Sequence, residues 1–96
     1  MALESMTDVL ARLESAGYET ELRAQDSWLS GGELTADPEA FSVDEVIRFE
    51  GASDPDDEAA VFALTHRESG TMGVYIVAYG AEMDPADTEV ASRLGG

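Results

Sequence analysis

Four carboxylates crowd into five positions: Asp54, Asp56, Asp57 and Glu58, with Pro55 among them. Hard cations take oxygen ligands, so this run is the first candidate for chemistry, with Mg²⁺ or Ca²⁺ as the ion and no other cofactor implied. The spacing is not that of an EF-hand. Counting from Asp54, the sixth position is Ala59 instead of glycine and the twelfth is Thr65 instead of glutamate. The plainer expectation is an acidic turn that starts at Asp54 before the proline. Arg48 and Glu50, just upstream, read as a structural clamp, the Arg48 guanidinium pairing with a loop carboxylate.

His66 is the only histidine. Nucleophilic catalysis would need it beside a serine, a threonine or an orienting carboxylate, and no G-x-S-x-G elbow is present. Zinc would need more nitrogen or sulfur ligands than one histidine supplies. His66 is therefore expected at a strand end, with no catalytic residue assigned. The ending Leu94-Gly95-Gly96 resembles the diglycine tail of ubiquitin-like modifiers and sulfur carriers. Those folds open on a hairpin, whereas this chain opens on a helical pattern. A frayed terminus is the plainer expectation.

Charge narrows the partners. Ninety-six residues carry five arginines, no lysine and 21 Asp+Glu, a formal charge of -16. Phosphate contacts need a basic stripe, so nucleic acid is excluded as a standing partner, and anionic lipid with it. Trp28, Phe41, Phe49, Phe62, Tyr75 and Tyr79 are expected in core or interface, because base stacking needs cations beside it. Hydrophobic residues reach 44%, enough for a core. The acidity fits a salt-rich cytoplasm, where screening shortens charge repulsion to a few ångström. It fits equally a GC-rich genome that happens to encode acidic surfaces. The absence of cysteine removes disulfides and thiolate sites. No window of 18 apolar residues occurs, and Met1–Ser5 lacks the basic and apolar regions of a secretory leader, so a cytoplasmic location is expected.

One domain, 1–96, must position these groups, with 1–5 and 95–96 frayed. Met6, Val9, Leu10 and Leu13 share a helical face, predicting a helix over about 7–16, capped by Thr7 or Ser5 and ended by Gly17. The period then drops to two: Tyr18, Thr20, Leu22 and Ala24 point inward, while Glu19, Glu21 and Arg23 point outward. A hairpin follows, Ser27–Ser30 returning through Gly31–Gly32 to Glu33–Ala36. Val43–Glu50 reads as a strand with Val43, Ile47 and Phe49 on one face and Glu45 as an exception. Ala59–His66 is apolar on both faces and reads as an inner strand. Met72–Tyr79 is rich in residues that suit a pleated surface. A last helix runs from about 85 to 94, capped by Asp84, with Pro85 first and Val90 and Leu94 inward.

The links between strands are too short for parallel crossovers. The expected fold class is α+β: a two-layer sandwich with an antiparallel sheet of four to five strands and both terminal helices on one face. The second face would then carry Tyr75, Val77 and Tyr79. Either a homodimer covers that face or the Trp28 hairpin folds over it.

Leu13 with Gly17-Tyr18, Val43-Asp44-Glu45-Val46-Ile47-Arg48-Phe49-Glu50-Gly51, Ser53, Pro55-Asp56-Asp57, Gly73-Val74-Tyr75 and Ala78-Tyr79-Gly80 together resemble a family of small prokaryotic proteins of about a hundred residues. Members are often labelled phosphoribosylpyrophosphate synthetase. The label implies sites for ATP and ribose phosphate, with metal-assisted phosphate chemistry at Asp54–Glu58 and Arg48. Read from its own residues, the chain has neither a G-x-x-x-x-G-K-[ST] loop nor a G-x-G-x-x-G turn. Composition and motifs together point to a small acidic binding module with a protein or ligand partner and no assembled reactive centre. The alternatives are the phosphate enzyme and the diglycine modifier.

Overall fold

A computed structural model describes residues 5–49, 59–78 and 83–94. The chain opens on α1, Met6–Ser15. Ser5 and Asp8 form a capping box: the Ser5 hydroxyl accepts from the Asp8 N–H at 3.1 Å, and the Asp8 carboxylate accepts from the Ser5 N–H at 3.2 Å. The helix ends in a Schellman motif, with Tyr18 N–H donating to the Leu13 carbonyl and Gly17 N–H to that of Glu14. Gly17 carries the required φ of 110°.

Six strands follow: β1 Thr20–Gln25, β2 Trp28–Gly31, β3 Leu34–Ala36, β4 Phe41–Phe49, β5 Ala59–His66 and β6 Met72–Ala78. The β2–β3 turn is Gly32–Glu33, one residue later than expected, with Gly31 still paired to Leu34. A single 3₁₀ turn, Pro38–Ala40, leads into β4. The closing helix α2, Pro85–Arg93, is capped by the Asp84 carboxylate, which accepts from Ala86 N–H at 2.8 Å. No helix among the described residues is long and apolar enough to cross a membrane.

The α+β class with flanking terminal helices holds, and three particulars differ. Among the described residues the sheet has six strands in the order β3-β2-β1-β6-β5-β4. It is mixed, because β1 and β6 pair in parallel over Thr20–Leu22 and Gly73–Tyr75. The hairpin links β1–β2, β2–β3, β4–β5 and β5–β6 are antiparallel. β3 and β4 lie at opposite edges and do not pair with each other, and the parallel partner of β1 is reached only after the chain has laid down β2 to β5. A side chain cannot fit at this junction: a Cβ on Gly73 would stand 2.6 Å from the Thr20 carbonyl oxygen.

The third difference is the layering. β5 is buried on both faces. Ala60, Phe62 and Leu64 join Leu22, Leu29, Tyr75, Val77 and the α2 residues Val90 and Ala91 in one core. Val61 and Ala63 join Val9 and Leu13 of α1 in another. The helices therefore lie on opposite faces of the sheet, which gives three layers instead of two. Phe62 stacks on Tyr75 with centroids 5.9 Å apart.

Candidate functional site

Several residues singled out by sequence, namely Glu50, Asp54, Asp56, Asp57, Glu58, Tyr79, Gly95 and Gly96, lie outside the described residues. Arg48 is exposed on β4, opposite Ala60. Tyr75 and Val77, expected to face a second copy, are 1% and 0% exposed within a single chain. They are buried because α2 packs on their face, and the Tyr75 hydroxyl donates to the Asp87 carboxylate at 2.7 Å. At these two positions the face expected to meet a partner copy is covered by α2 of the same chain.

His66 ends β5, and the structure supplies the serine neighbour that the sequence alone did not reveal. The Ser69 N–H donates to His66 Nδ1 at 3.2 Å. Ser69 Oγ lies 2.8 Å from Nδ1 and 2.9 Å from Thr71 Oγ1, and accepts from the Thr71 N–H at 3.2 Å. These contacts all close the β5–β6 turn. The His66 ring packs edge-on against Phe41 at 5.2 Å. Its role is to fasten a hairpin and a core edge. Among the described residues, no group of three or more Asp, Glu or His side chains is gathered to hold a metal.

The densest polar cluster sits on β4. The strand bulges between Val43 and Glu45, so that Val43 faces Leu64 and Glu45 faces Ala63. Asp44, the inserted residue, turns its carboxylate toward three hydroxyls. Oδ2 accepts from Thr65 at 2.5 Å and from Tyr18 at 2.9 Å, and Oδ1 accepts from Ser42 at 3.0 Å. The Thr65 hydrogen bond is the largest influence holding the Asp44 carboxyl below its ordinary value, with Tyr18 and Ser42 assisting against partial burial. Tyr18 is pushed above the ordinary phenol value, first by burial and then by its bond to Asp44 and that residue's charge. Next to this cluster, Arg12 of α1 grips Glu45 with two hydrogen bonds, 3.0 and 3.3 Å. Two neighbouring acids of β4 therefore hold the helix layer to the sheet edge.

The bulge also redistributes the faces of β4. Ile47 and Phe49 join the α1 core, and Glu45 shares their side. Val43, Val46 and Arg48 fall on the other face, opposite Leu64, Phe62 and Ala60. Val43 was expected beside Ile47; one inserted residue separates them. On this face α2 packs over β1 and β2, two strands of the opposite half of the sheet. Val43 and Val46 remain 39% and 41% exposed.

Beside them runs a groove of about 390 Å³. Pro38, Phe41, Val43 and Leu94 give it an apolar floor, and Glu39, Arg67 and Arg93 stand in its lining. Arg67 donates to the Glu39 carbonyl at 2.7 Å, and Arg93 donates to Glu89 at 3.3 Å. A second cleft, about 330 Å³, opens where β1 and β6 part, with Glu21, Arg23, Tyr75, Asp84 and Asp87 in its walls.

Comparison with protein-family models, curated proteins and solved structures returned no match.

The groove and the β4 face can receive an apolar group that carries negative charge. The hydroxyl cluster around Asp44, with its hydrogen bonds made internally, anchors that surface from behind. The signal that could have revealed the bulge was visible in the sequence: Glu45 breaks the alternation of an otherwise apolar face.

Proposed function

We propose that this protein is a non-catalytic interaction module that docks a protein partner on the uncovered face of β4. The observation that carries this reading is the exposure of Val43 and Val46 on the outermost strand of the described sheet. Single exposed aliphatics are ordinary on protein surfaces. This pair is different because the two valines occupy neighbouring positions of one face, and Val43 runs on into the groove floored by Pro38, Phe41 and Leu94. A continuous apolar strip with a polar border is the usual anatomy of a docking site.

The rigidity of the strand supports the same reading. Arg12, Tyr18, Ser42 and Thr65 fix β4 from its opposite face through Glu45 and Asp44. A partner would therefore meet a preformed surface and lose little free energy to ordering it.

The test is retention of partners from native extract, at matched salt, by the full chain and by a Val43→Ser/Val46→Ser variant. Proteins held by the wild type and lost from the variant, with both melting alike, are the expected result. The same set on both would overturn the reading.

A further inference from the structure

Resting on that docking surface, we infer the chemistry of its occupant: an acidic protein segment whose carboxylates flank a short aliphatic centre. Only five residues of the chain are basic. Three of them, Arg48, Arg67 and Arg93, border the uncovered face of β4. Arg48 is on the strand itself, on the face of Val43 and Val46. Arg67 and Arg93 line the groove at the Val43 end, two cations to the single acid Glu39 in that lining.

The pairing of these cations is as informative as their position. The chain has 21 carboxylates, yet among the described residues the ion pairs are those of Arg12 with Glu45, Arg23 with Glu21 and Arg93 with Glu89. Arg48 and Arg67 take no carboxylate among the described residues. Two exposed guanidiniums at the ends of an apolar strip complement an acid–aliphatic–acid segment. Elsewhere the excess of negative charge would repel such a segment, so the patch also sets where it lands.

Register gives the reach. Val43 lies opposite Leu64 and Arg48 opposite Ala60, four positions along β5. At about 3.3 Å per residue the flanking carboxylates must be roughly 13 Å apart or slightly more. The bulge interrupts the free edge of β4, which disfavours a continuous added strand. The occupant is accordingly recognised by its side chains, aliphatics on Val43 and Val46, and carboxylates on Arg48 and on Arg67 with Arg93.

Selection of random dodecamer peptides displayed on phage against the full chain, followed by amide-shift mapping of the recovered peptides, tests this. Expected are peptides with aspartate or glutamate on both sides of an aliphatic core, which shift the amides of Val43–Arg48. Arg48→Ala/Arg67→Ala should weaken them about tenfold, each exposed ion pair contributing a few-fold. Arg48→Lys/Arg67→Lys, which keeps the charge, should recover most of the binding and controls for folding. Basic or neutral peptides on the same amides, or acidic ones indifferent to both arginine variants, would overturn the inference and leave the docking surface standing. Peptides that map elsewhere, or none at all, would overturn both.

Discussion

The Tyr18 hydroxyl donates to the Asp44 carboxylate across 2.9 Å, joining the turn after α1 to the bulge of β4. Thr65 and Ser42 complete the shell around the same carboxylate. The bulge thus has its own fastening, and the side chains of β4 that follow it take their faces from that fastening.

Asp44 should stabilise the fold in a definite pH window. Its folded-state pKa lies below the ordinary 3.8, so its contribution is present above the unfolded value and fades as pH falls through the folded one. Asp44→Asn should melt below wild type at pH 6. The gap should begin to narrow near about pH 4, where the unfolded-state carboxyl titrates, and close as the pH falls through the lower folded-state value. Thermal melts of both proteins from pH 6 to 2 check this. A gap that persists undiminished at pH 2 counts against it.

The grip of Arg12 on Glu45 is half exposed, with 43% of each side chain accessible. Solvent screening should hold its worth to about 0.5 kcal/mol. A double-mutant cycle with Arg12→Ala and Glu45→Ala isolates the pair from whatever else either side chain touches. The coupling should vanish in 1 M salt, where the Debye length is about 3 Å.

Phe62 and Val46 are neighbours across the β4–β5 pair, yet they should respond oppositely to truncation. Phe62 is 0% exposed and stacks on Tyr75, so Phe62→Ala should cost about 3–5 kcal/mol. Val46→Ala, at a 41% exposed position, should stay within about 0.5 kcal/mol. Urea unfolding distinguishes them. A large loss at Val46 would mean that the valine is packed, and the docking surface would lose its basis.

Gly73→Ala should destabilise by about 1–3 kcal/mol, since its methyl would press on the Thr20 carbonyl at 2.6 Å. Hydrogen exchange should show the loss first at Thr20–Leu22 and Gly73–Tyr75. Uniform loss across the sheet would place the strain elsewhere.

Local chemistry made much of this legible. The apolar face of α1, its Ser5 cap and Gly17 mark a helix without help from the rest of the chain. The outward Glu21 and Arg23, with Leu22 inward, mark β1. The even apolarity of Ala59–His66 marks a strand covered on both faces. What stayed hidden depends on distant pairing. Nothing near Thr20 announces Gly73 as its neighbour, so the parallel join was not foreseen. The side on which each helix packs follows from that join. Of the candidate site, the sequence marks Arg48 as a clamp toward the acidic loop, which lies outside the described residues. Glu45 was seen to break the pattern, though the bulge that explains it requires the register with β5. Arg67 and Arg93 meet only in the folded chain.

Two three-stranded meanders, β1–β3 and β4–β6, are zipped together by only three residue pairs between β1 and β6. Synthesis delivers the first meander early, but its β1 edge stays open until Tyr75 has left the ribosome. The nascent protein must therefore carry an unfinished edge through most of its translation, and closing that seam is a late, long-range step in reaching the native sheet.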